Sequence, residues 1–186
     1  MTATEATDND SPVSRSVILA EVPNDGRHVT IAAKQDELAA LAEFADVEAV
    51  TRFAAELHIR PWSKHGFIVT GTVSADVVQT CVVTLEPVPN VVNEAIELKL
   101  VPSSEAERYA PKPDSTGEVE VNADAVDLPD FFDGPSIDVG AVAVEFFVLG
   151  LDPYPRKDGA VFDPPDDPDA ASLSPFAKLL ALKRES

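Results

Sequence analysis

A long run of alternating apolar and polar residues, 66–86, constrains the fold more than any other part of the sequence. From Phe67 to Leu85 every second residue is apolar or small, except Gln79, while many residues between them are Thr, Ser or Asp. This period of two is typical of a β-strand with one buried face. No Gly or Asn turn divides the run, so it predicts one long strand, bent at Gly71.

The segments before this strand predict a hairpin and two helices. Residues 16–21 and 27–32 have β-like composition on either side of a Pro-Asn-Asp-Gly turn, which predicts a hairpin. Apolar residues at helical spacing predict helices at 34–45 and 47–56, with Asp46 as the N-cap of the second.

The segments after the strand predict a second long strand and a buried helix. A turn is predicted at 87–90, followed by a strand that ends at Pro102. Residues 138–150 are apolar nearly all round and predict a buried helix with Asp138 as its N-cap. Long bent antiparallel strands with flanking helices predict an α+β fold, built on a strongly curved antiparallel sheet or a small open barrel.

Changes in composition predict the domain boundaries. Residues 1–14 are polar and acidic, which predicts a disordered tail. A single domain is predicted over 15–151, with a mobile acidic loop at about 103–128. Residues 152–186 are rich in Pro and Asp and predict a linking segment followed by a C-terminal helix that opens on the Ser-Pro pair at 174–175.

The charge of the chain excludes several classes of function. Thirty-three acidic residues against 14 Lys and Arg give a formal net charge of −19 at pH 7. A generally basic nucleic-acid-binding surface is therefore excluded, and an anionic membrane is an unfavourable partner. The chain opens without a cationic, apolar leader, and its longest apolar run, 139–151, is too short to span a bilayer. A cytoplasmic protein without membrane contact is expected.

Cys81 is the one cysteine, which excludes intrachain disulfides and multi-cysteine zinc sites. A catalytic thiol needs a nearby base or positive charge that lowers its pKa. Cys81 falls on the apolar side of the predicted strand, and His28, His58 and His65 form no motif with it. An inert core cysteine is favoured over a nucleophile. The histidines also lack metal-ligand spacing, so no metal, cofactor or small-molecule substrate is expected.

One window departs from the acidic balance of the chain. Residues 57–75 contain no Asp or Glu, and Arg60, Trp62, Lys64 and His65 lie together in it. Cations neutralise phosphate and an aromatic face stacks a base, so this mixture is typical of RNA-binding surfaces. These four residues are the candidate binding residues. Packing of the tryptophan on the core is the alternative, and the small number of full charges favours it.

Glu145 is the lone charge within the apolar helix. A buried carboxylate without a partner is too costly to expect. Glu145 is therefore expected either on an exposed stripe of the helix or in an ion pair, with Arg156 as a candidate partner.

Three blocks of sequence form a recognisable pattern in this order and spacing. The first covers 71–88 and contains G-x-V-x-A, then the cysteine and L-E-P-V. The second covers 137–145 and 151–156, and the third is the S-P-F-A-K-L of 174–179. Together they resemble the YceD-like family, the large ribosomal RNA subunit accumulation proteins. The residues that carry the motif are Gly71, Cys81, Leu85, Glu86, Pro87, Asp138, Glu145, Pro155 and Arg156.

This resemblance implies a non-enzymatic role in the accumulation of large-subunit (23S) rRNA, and hence in assembly of the large ribosomal subunit. It implies as partner either a large-subunit ribosomal protein, with L32 as a candidate because its gene is often adjacent to those of the family, or pre-23S rRNA. Many members carry C-x-x-C-L where this chain has Thr84, so no metal or redox role is implied here.

The charge of −19 favours a basic ribosomal protein over direct rRNA contact, because opposite charges raise encounter rates and suppress wrong partners. Two alternatives stay open. One is an acidic interaction module outside the ribosome, and the other is a cysteine-dependent enzyme that uses Cys81.

Overall fold

The computed structural model describes residues 11–109 and 128–162 of the chain. Five strands form a mixed sheet in the order β2-β3-β4-β5-β6, in which β2 to β5 are antiparallel and β6 is parallel to β5. The elements in chain order are β1 (Ser16–Ile18), β2 (Arg27–Ala32), α1 (Gln35–Phe44), β3 (Ala49–Trp62), β4 (Gly66–Thr80), β5 (Pro87–Pro102), α2 (Ala106–Tyr109), β6 (Asp130–Phe132), β7 (Ser136–Asp138) and α3 (Val139–Leu149). The predicted α+β class is confirmed. The sheet is mixed rather than wholly antiparallel, and its described strands do not close into a barrel.

The core lies between one face of the sheet and the helices α1 and α3. Helix α1 packs on β3, and α3 packs on β4 and β5. The fully buried ring of Phe147 stands edge-on to Phe53, with the ring centroids 5.6 Å apart. Helix α3 begins as predicted, because the Asp138 carboxylate accepts the N–H groups of Gly140 and Ala141 at 2.9 and 3.1 Å. The opposite face of the sheet, which carries Glu56 among other polar residues, is largely exposed, although Ile68 on this face is buried.

Strand β4 confirms the predicted long strand from residue 66 to 80, but it ends before Cys81. Residues 81–86 form the turn, and β5 begins at Pro87, so the turn predicted at 87–90 is wrong. The Leu85 N–H donates to the Cys81 carbonyl at 3.0 Å, and Leu85 has a φ of +59°. The residue with the left-handed backbone conformation in this turn is a leucine instead of the usual Gly or Asn. The sequence therefore contains no turn signal at this point.

The predicted helix over 47–56 is wrong, because β3 occupies this segment and pairs with β2 and β4. A register shift lies between Val50 and Arg52. This irregularity places the inward-facing Val50 and Phe53 three residues apart, after which inward residues alternate. The spacing of the apolar residues in this segment therefore resembles the spacing along one face of a helix. Asp46 is not an N-cap but follows α1 with a φ of +51°.

The predicted hairpin between 16–21 and 27–32 is also wrong. The turn itself forms, with the Gly26 N–H donating to the Pro23 carbonyl at 2.9 Å. However, β1 pairs with β7 and β2 pairs with β3. The first β-like run thus pairs with β7, far along the chain, and the second pairs with β3, the next strand in the sequence.

Several predicted boundaries fall partly outside the described residues. Val13 is fully buried, so packing begins within the segment predicted as a tail, while residues 1–10 lie outside the description. Part of the predicted acidic loop forms a 3-10 turn at Ser103–Glu105 and helix α2. Its remainder, 110–127, and the predicted C-terminal helix within 163–186 lie outside the described residues.

Gly71, where a bend was predicted, lies where the backbone of β3 leaves no room for a side chain on β4. Its φ is +155°, and a Cβ at this position would overlap the carbonyl oxygen of Glu56. We expect Gly71→Ala to lower the free energy of unfolding by roughly 2–5 kcal/mol, since backbone strain and steric overlap add. Urea denaturation of the purified variants measures this.

Gly134→Ala is the matched control for this prediction. Gly134 also has a positive φ, +83°, but nothing lies within 4 Å of a Cβ built there. Its replacement therefore carries the backbone cost without the overlap. Equal losses of stability in the two variants would show that the close approach to β3 does not select glycine at residue 71.

Candidate binding surfaces

Most of the candidate residues fall into two groups at opposite ends of β4. The strand starts at the hairpin with the candidate binding residues 60–65 and ends at the motif turn 81–86. Fifteen residues of strand span about 50 Å, so these are two separate surfaces. We call the first the basic corner, defined as Arg60, Trp62, Lys64, His65 and Lys99. We call the second the Cys81 turn, defined as residues 81–86 with 155–157.

The register of three strands builds the basic corner. Arg60 lies opposite Ile68, and Ile68 lies opposite Lys99, so both cations occupy the exposed face of the sheet. The Lys99 ammonium lies 5.9 Å from the centroid of the Trp62 ring, within the range of a cation–π contact. Trp62 is half-buried on this face, on the side opposite the helix-covered core.

Lys64 and His65 lie in the exposed hairpin that closes the corner. His65 Nδ1 is 2.6 Å from one carboxylate oxygen of Glu105, and the other carboxylate oxygen accepts from Arg108 at 2.9 Å. The hydrogen bond with His65, aided by the charge of Arg108, lowers the pKa of Glu105. The window 57–75, which contains no acidic residue, is thus in contact with an acidic residue from another part of the chain, Glu105. Within the described chain, neither Arg60 nor Lys64 takes part in an ion pair.

Two stacked histidines extend the same face beyond Arg60. The rings of His28 and His58 lie 4.2 Å apart and within 8° of parallel, and His58 Nε2 lies 3.1 Å from the Asp25 carbonyl oxygen. The pair adds flat aromatic surface next to the cations. Sequence reasoning missed both this pair and Lys99. The alternation of Lys99 with leucines places it outward, but its position beside Arg60 depends on the register of two hairpins.

The sulfur of Cys81 holds the turn together. The Cys81 side chain is fully buried, as predicted, but it lies among peptide groups after the end of β4. Its Sγ accepts the N–H groups of Val83, Thr84 and Lys157, each at 3.4 Å. Hydrogen bonds from the Thr84 side chain and from these peptide groups lower the pKa of Cys81 from 9.0 to about 6. A sulfur that is enclosed by peptide N–H donors suits the closure of a turn better than attack on a substrate.

The Cys81 turn unites two motif blocks that are about seventy residues apart in the chain. The Val82 N–H donates to the carbonyl of Pro155 at 2.9 Å, and the Lys157 ammonium lies 2.9 Å from the Glu86 carboxylate. The ion pair with Lys157 lowers the pKa of Glu86. Pro155 is buried, whereas Leu85 is exposed at the tip of the turn. Neighbouring Pro87, the first residue of β5, is also exposed, as is Arg156.

Two further motif residues lie on or next to α3. Asp138 accepts the Arg15 N–H at 2.7 Å in addition to capping the helix, so it ties the start of the described chain to α3. Glu145 is exposed, and no ion pair joins it to Arg156, although both residues are described. Glu145 was expected either on an exposed stripe of the helix or in an ion pair, and the structure places it on the exposed stripe.

No group of three or more His, Cys, Asp and Glu side chains in 11–109 and 128–162 is arranged to hold a metal ion. No helix in the same ranges has the length and apolar character needed to cross a membrane.

Comparison with known proteins gives one match. A family model described as large ribosomal RNA subunit accumulation protein YceD matches residues 69–183, more than half of the chain. The chain therefore belongs to this family, and the resemblance noted in the sequence is confirmed. No curated protein and no solved structure matches the chain. The family match includes the Cys81 turn, while most of the basic corner precedes it.

The lowered pKa of Cys81 predicts a pH-dependent contribution to stability. A thiol whose pKa falls from 9.0 to about 6 on folding contributes fully above pH 9, and the contribution is lost as the pH falls toward 6. The difference in free energy of unfolding between the wild type and Cys81→Ala should therefore grow as the pH rises from 6 to 9. Urea titrations across this range measure it.

Thr84→Val is the control for this effect, because it removes the side-chain hydroxyl and keeps its approximate shape. Since the Thr84 side chain is the largest cause of the lowered pKa of Cys81, the pH dependence should shift to higher pH in this variant. A stability difference that stays constant across the range would contradict the thiolate.

Proposed function

We propose that this protein is a non-enzymatic assembly factor that supports accumulation of large-subunit (23S) rRNA in the cytoplasm by binding to the assembling particle. The observation that carries the proposal is the family match over residues 69–183. The geometry of Cys81 supports binding rather than catalysis, because its sulfur is enclosed by peptide N–H groups.

The basic corner is the surface we assign to contact with pre-23S rRNA. Arg60, Lys64 and Lys99 supply positive charge for phosphate, while Trp62 supplies an aromatic face for an unstacked base. The stacked histidines extend the flat surface along the next row of the sheet. Because the whole chain has a charge of −19, RNA contact is favourable at this corner and disfavoured over most of the remaining surface.

A basic large-subunit ribosomal protein, such as L32, is the second candidate partner. The net charge of −19 favours it, as do the exposed carboxylates of Glu56 and Glu97, which occupy the exposed sheet face next to the corner. A cationic protein segment would bind to these carboxylates, whereas RNA would bind to the cations of the basic corner. The two partners thus require neighbouring but different parts of one face.

Affinity capture of the full-length protein from cells, with and without RNase treatment, separates the two partners. Loss of ribosomal material after RNase indicates contact through rRNA, and retention of a basic ribosomal protein indicates contact through protein. Capture of proteins that are not ribosomal in both arms would favour an interaction module outside the ribosome.

Removing the two unpaired cations of the corner is expected to weaken ribosomal association. Arg60→Ala combined with Lys64→Ala should lower the affinity roughly tenfold, if each exposed charge contact contributes about 0.7 kcal/mol. The melting temperature should stay unchanged, since both side chains are exposed. Co-sedimentation with large-subunit precursors and thermal melting measure the two effects.

Arg27→Ala combined with Lys34→Ala is the matched control, because it changes the net charge equally at exposed sites outside both the corner and the Cys81 turn. It should leave association near the wild-type level. Equal weakening by both pairs would mean that net charge, rather than the corner, governs binding. A loss of stability in the corner variant alone would point to a packing role.

Depletion of the protein is expected to reduce large subunits relative to small ones. Large-subunit rRNA should fall, with small-subunit rRNA less affected, because the family match concerns the large subunit. Sucrose-gradient profiles and the ratio of the two rRNAs measure this. Unchanged proportions after depletion would contradict the assembly role.

A further inference from the structure

An apolar groove lies between α3 and the end of α1, away from both surfaces described above. Its volume is about 450 Å³, and it is lined by Ser11, Phe44, Ala141, Val144, Glu145, Val148 and Leu149. Two of its apolar side chains are strongly exposed, Phe44 at 57% and Leu149 at 72%. Exposed apolar side chains grouped in a groove are typical of a surface that binds another segment.

Helix α3 has two apolar stripes, and the sheet covers one of them. Phe147 and Val139 are fully buried toward the core. The groove residues at 141, 144, 145, 148 and 149 are spaced three and four apart and form the second stripe. A helix that is apolar on both sides is normally covered on both sides. Val144 in this stripe is buried, but Val148 and Leu149 are exposed, so the C-terminal part of the second stripe lacks a cover among the described residues.

The C-terminal segment 174–184 of the same chain has the pattern needed to cover it. After a Ser-Pro start, Phe176, Leu179 and Leu180 recur at the spacing of a helix face, and Lys183 follows one turn later. The family match extends from β4 to residue 183, so this segment and α3 belong to one family unit.

The connection is long enough for this segment to reach the groove. The description ends at Phe162, and the eleven residues 163–173 precede the segment. An extended connection of this length reaches roughly 40 Å, which is about the diameter of a domain of this size. A segment tethered at such a distance is present at an effective concentration in the millimolar range, which favours it over a free partner of equal affinity.

Charge also fits this occupant. Glu145 is the one charged residue in the groove lining, and it is exposed. The segment carries Lys178, Lys183 and Arg184, whereas the chain as a whole is strongly acidic. Helical spacing places Lys183 in line with Leu179 and Leu180, and Lys178 on the opposite side. The segment thus has a cation, Lys183, next to its apolar residues, and the groove has a carboxylate, Glu145, next to its apolar residues.

We propose that the C-terminal segment 174–184 docks as a helix on the apolar groove between α1 and α3, with Lys183 beside Glu145. Docking covers Phe44 and Leu149 and completes the burial of α3. This inference is independent of the ribosomal role, because it concerns the chain's own packing.

Thiol accessibility in the full-length chain tests the docking. Leu149→Cys places a thiol in the groove at an exposed position, and its alkylation by iodoacetamide is followed by peptide mass spectrometry, separately from that of Cys81. The thiol should react slowly in this background. Adding Leu180→Asp should increase the rate at least tenfold, since a carboxylate opposes docking on an apolar stripe. Phe44→Cys gives the same readout from the other wall of the groove.

Two charge variants with the same change in net charge make the test specific. Lys183→Glu in the Leu149→Cys background should increase the alkylation rate several-fold, because it places a carboxylate beside Glu145. Lys178→Glu, on the opposite side of the segment, should leave the rate unchanged. Adding Glu145→Lys to Lys183→Glu should restore protection.

Three results would overturn the proposal. Alkylation of residue 149 that does not respond to Leu180→Asp would show that the segment does not cover the groove. Equal responses to Lys178→Glu and Lys183→Glu would exclude the proposed orientation. Protection that disappears on dilution would assign the cover to a second copy of the chain. Circular dichroism of each variant verifies that the fold is retained.

Discussion

The fold depends on a mismatch in length between its strands and its helices. Strands β3, β4 and β5 contain 14 to 16 residues and extend for about 50 Å, whereas α1 and α3, with 10 and 11 residues, are each about 15 Å long. Two such helices cover part of one sheet face only. The helices are therefore too short to cover the strands as far as both of their ends. The basic corner and the Cys81 turn lie at these ends.

The polar groups at the two ends of the strands make different kinds of interaction. At the corner, a cation lies over the tryptophan ring, and a histidine binds the carboxylate of Glu105. At the turn, peptide N–H groups surround one sulfur, and the loop after α3 packs against them. The first arrangement leaves charged groups free to meet a partner, while the second satisfies its own polar groups internally. This contrast is why we assign partner contact to the corner and a structural role to Cys81.

The sequence predicted the features that depend on local pattern. The apolar alternation gave most of β4, and Asp138 ahead of an apolar run gave α3 with its cap. Long-range features were mispredicted or missed. A register shift near Val50 made a strand look helical, because inward residues three apart are also the mark of a helix. The pairing of β1 with β7 has no local signal, since its partners are about 120 residues apart.

The candidate surfaces show the same division. The composition of the 57–65 window identified Arg60 and Trp62, but it could not identify Lys99, whose place beside them follows from the pairing of β4 with β5. Glu105 was equally inaccessible, because it meets His65 from forty residues away. Burial of Cys81 was predicted from its parity. Its peptide surroundings were not, because they arise from a turn closed by a left-handed leucine and from a loop beyond α3.

The contact between Asp138 and Arg15 has a consequence for synthesis of the chain. The strands β2 to β5 follow one another, and each can pair with its predecessor as it emerges from the ribosome. Residues 13–18 are made before all of these strands, yet their partners in β7 and at the start of α3 are made more than a hundred residues later. The partners of residues 13–18 are therefore not yet synthesised while the strands β2 to β5 form the sheet. Translation of β7 and α3 is the event that allows the two segments to join, so the sheet can form first and the pairing of β1 with β7 comes after it.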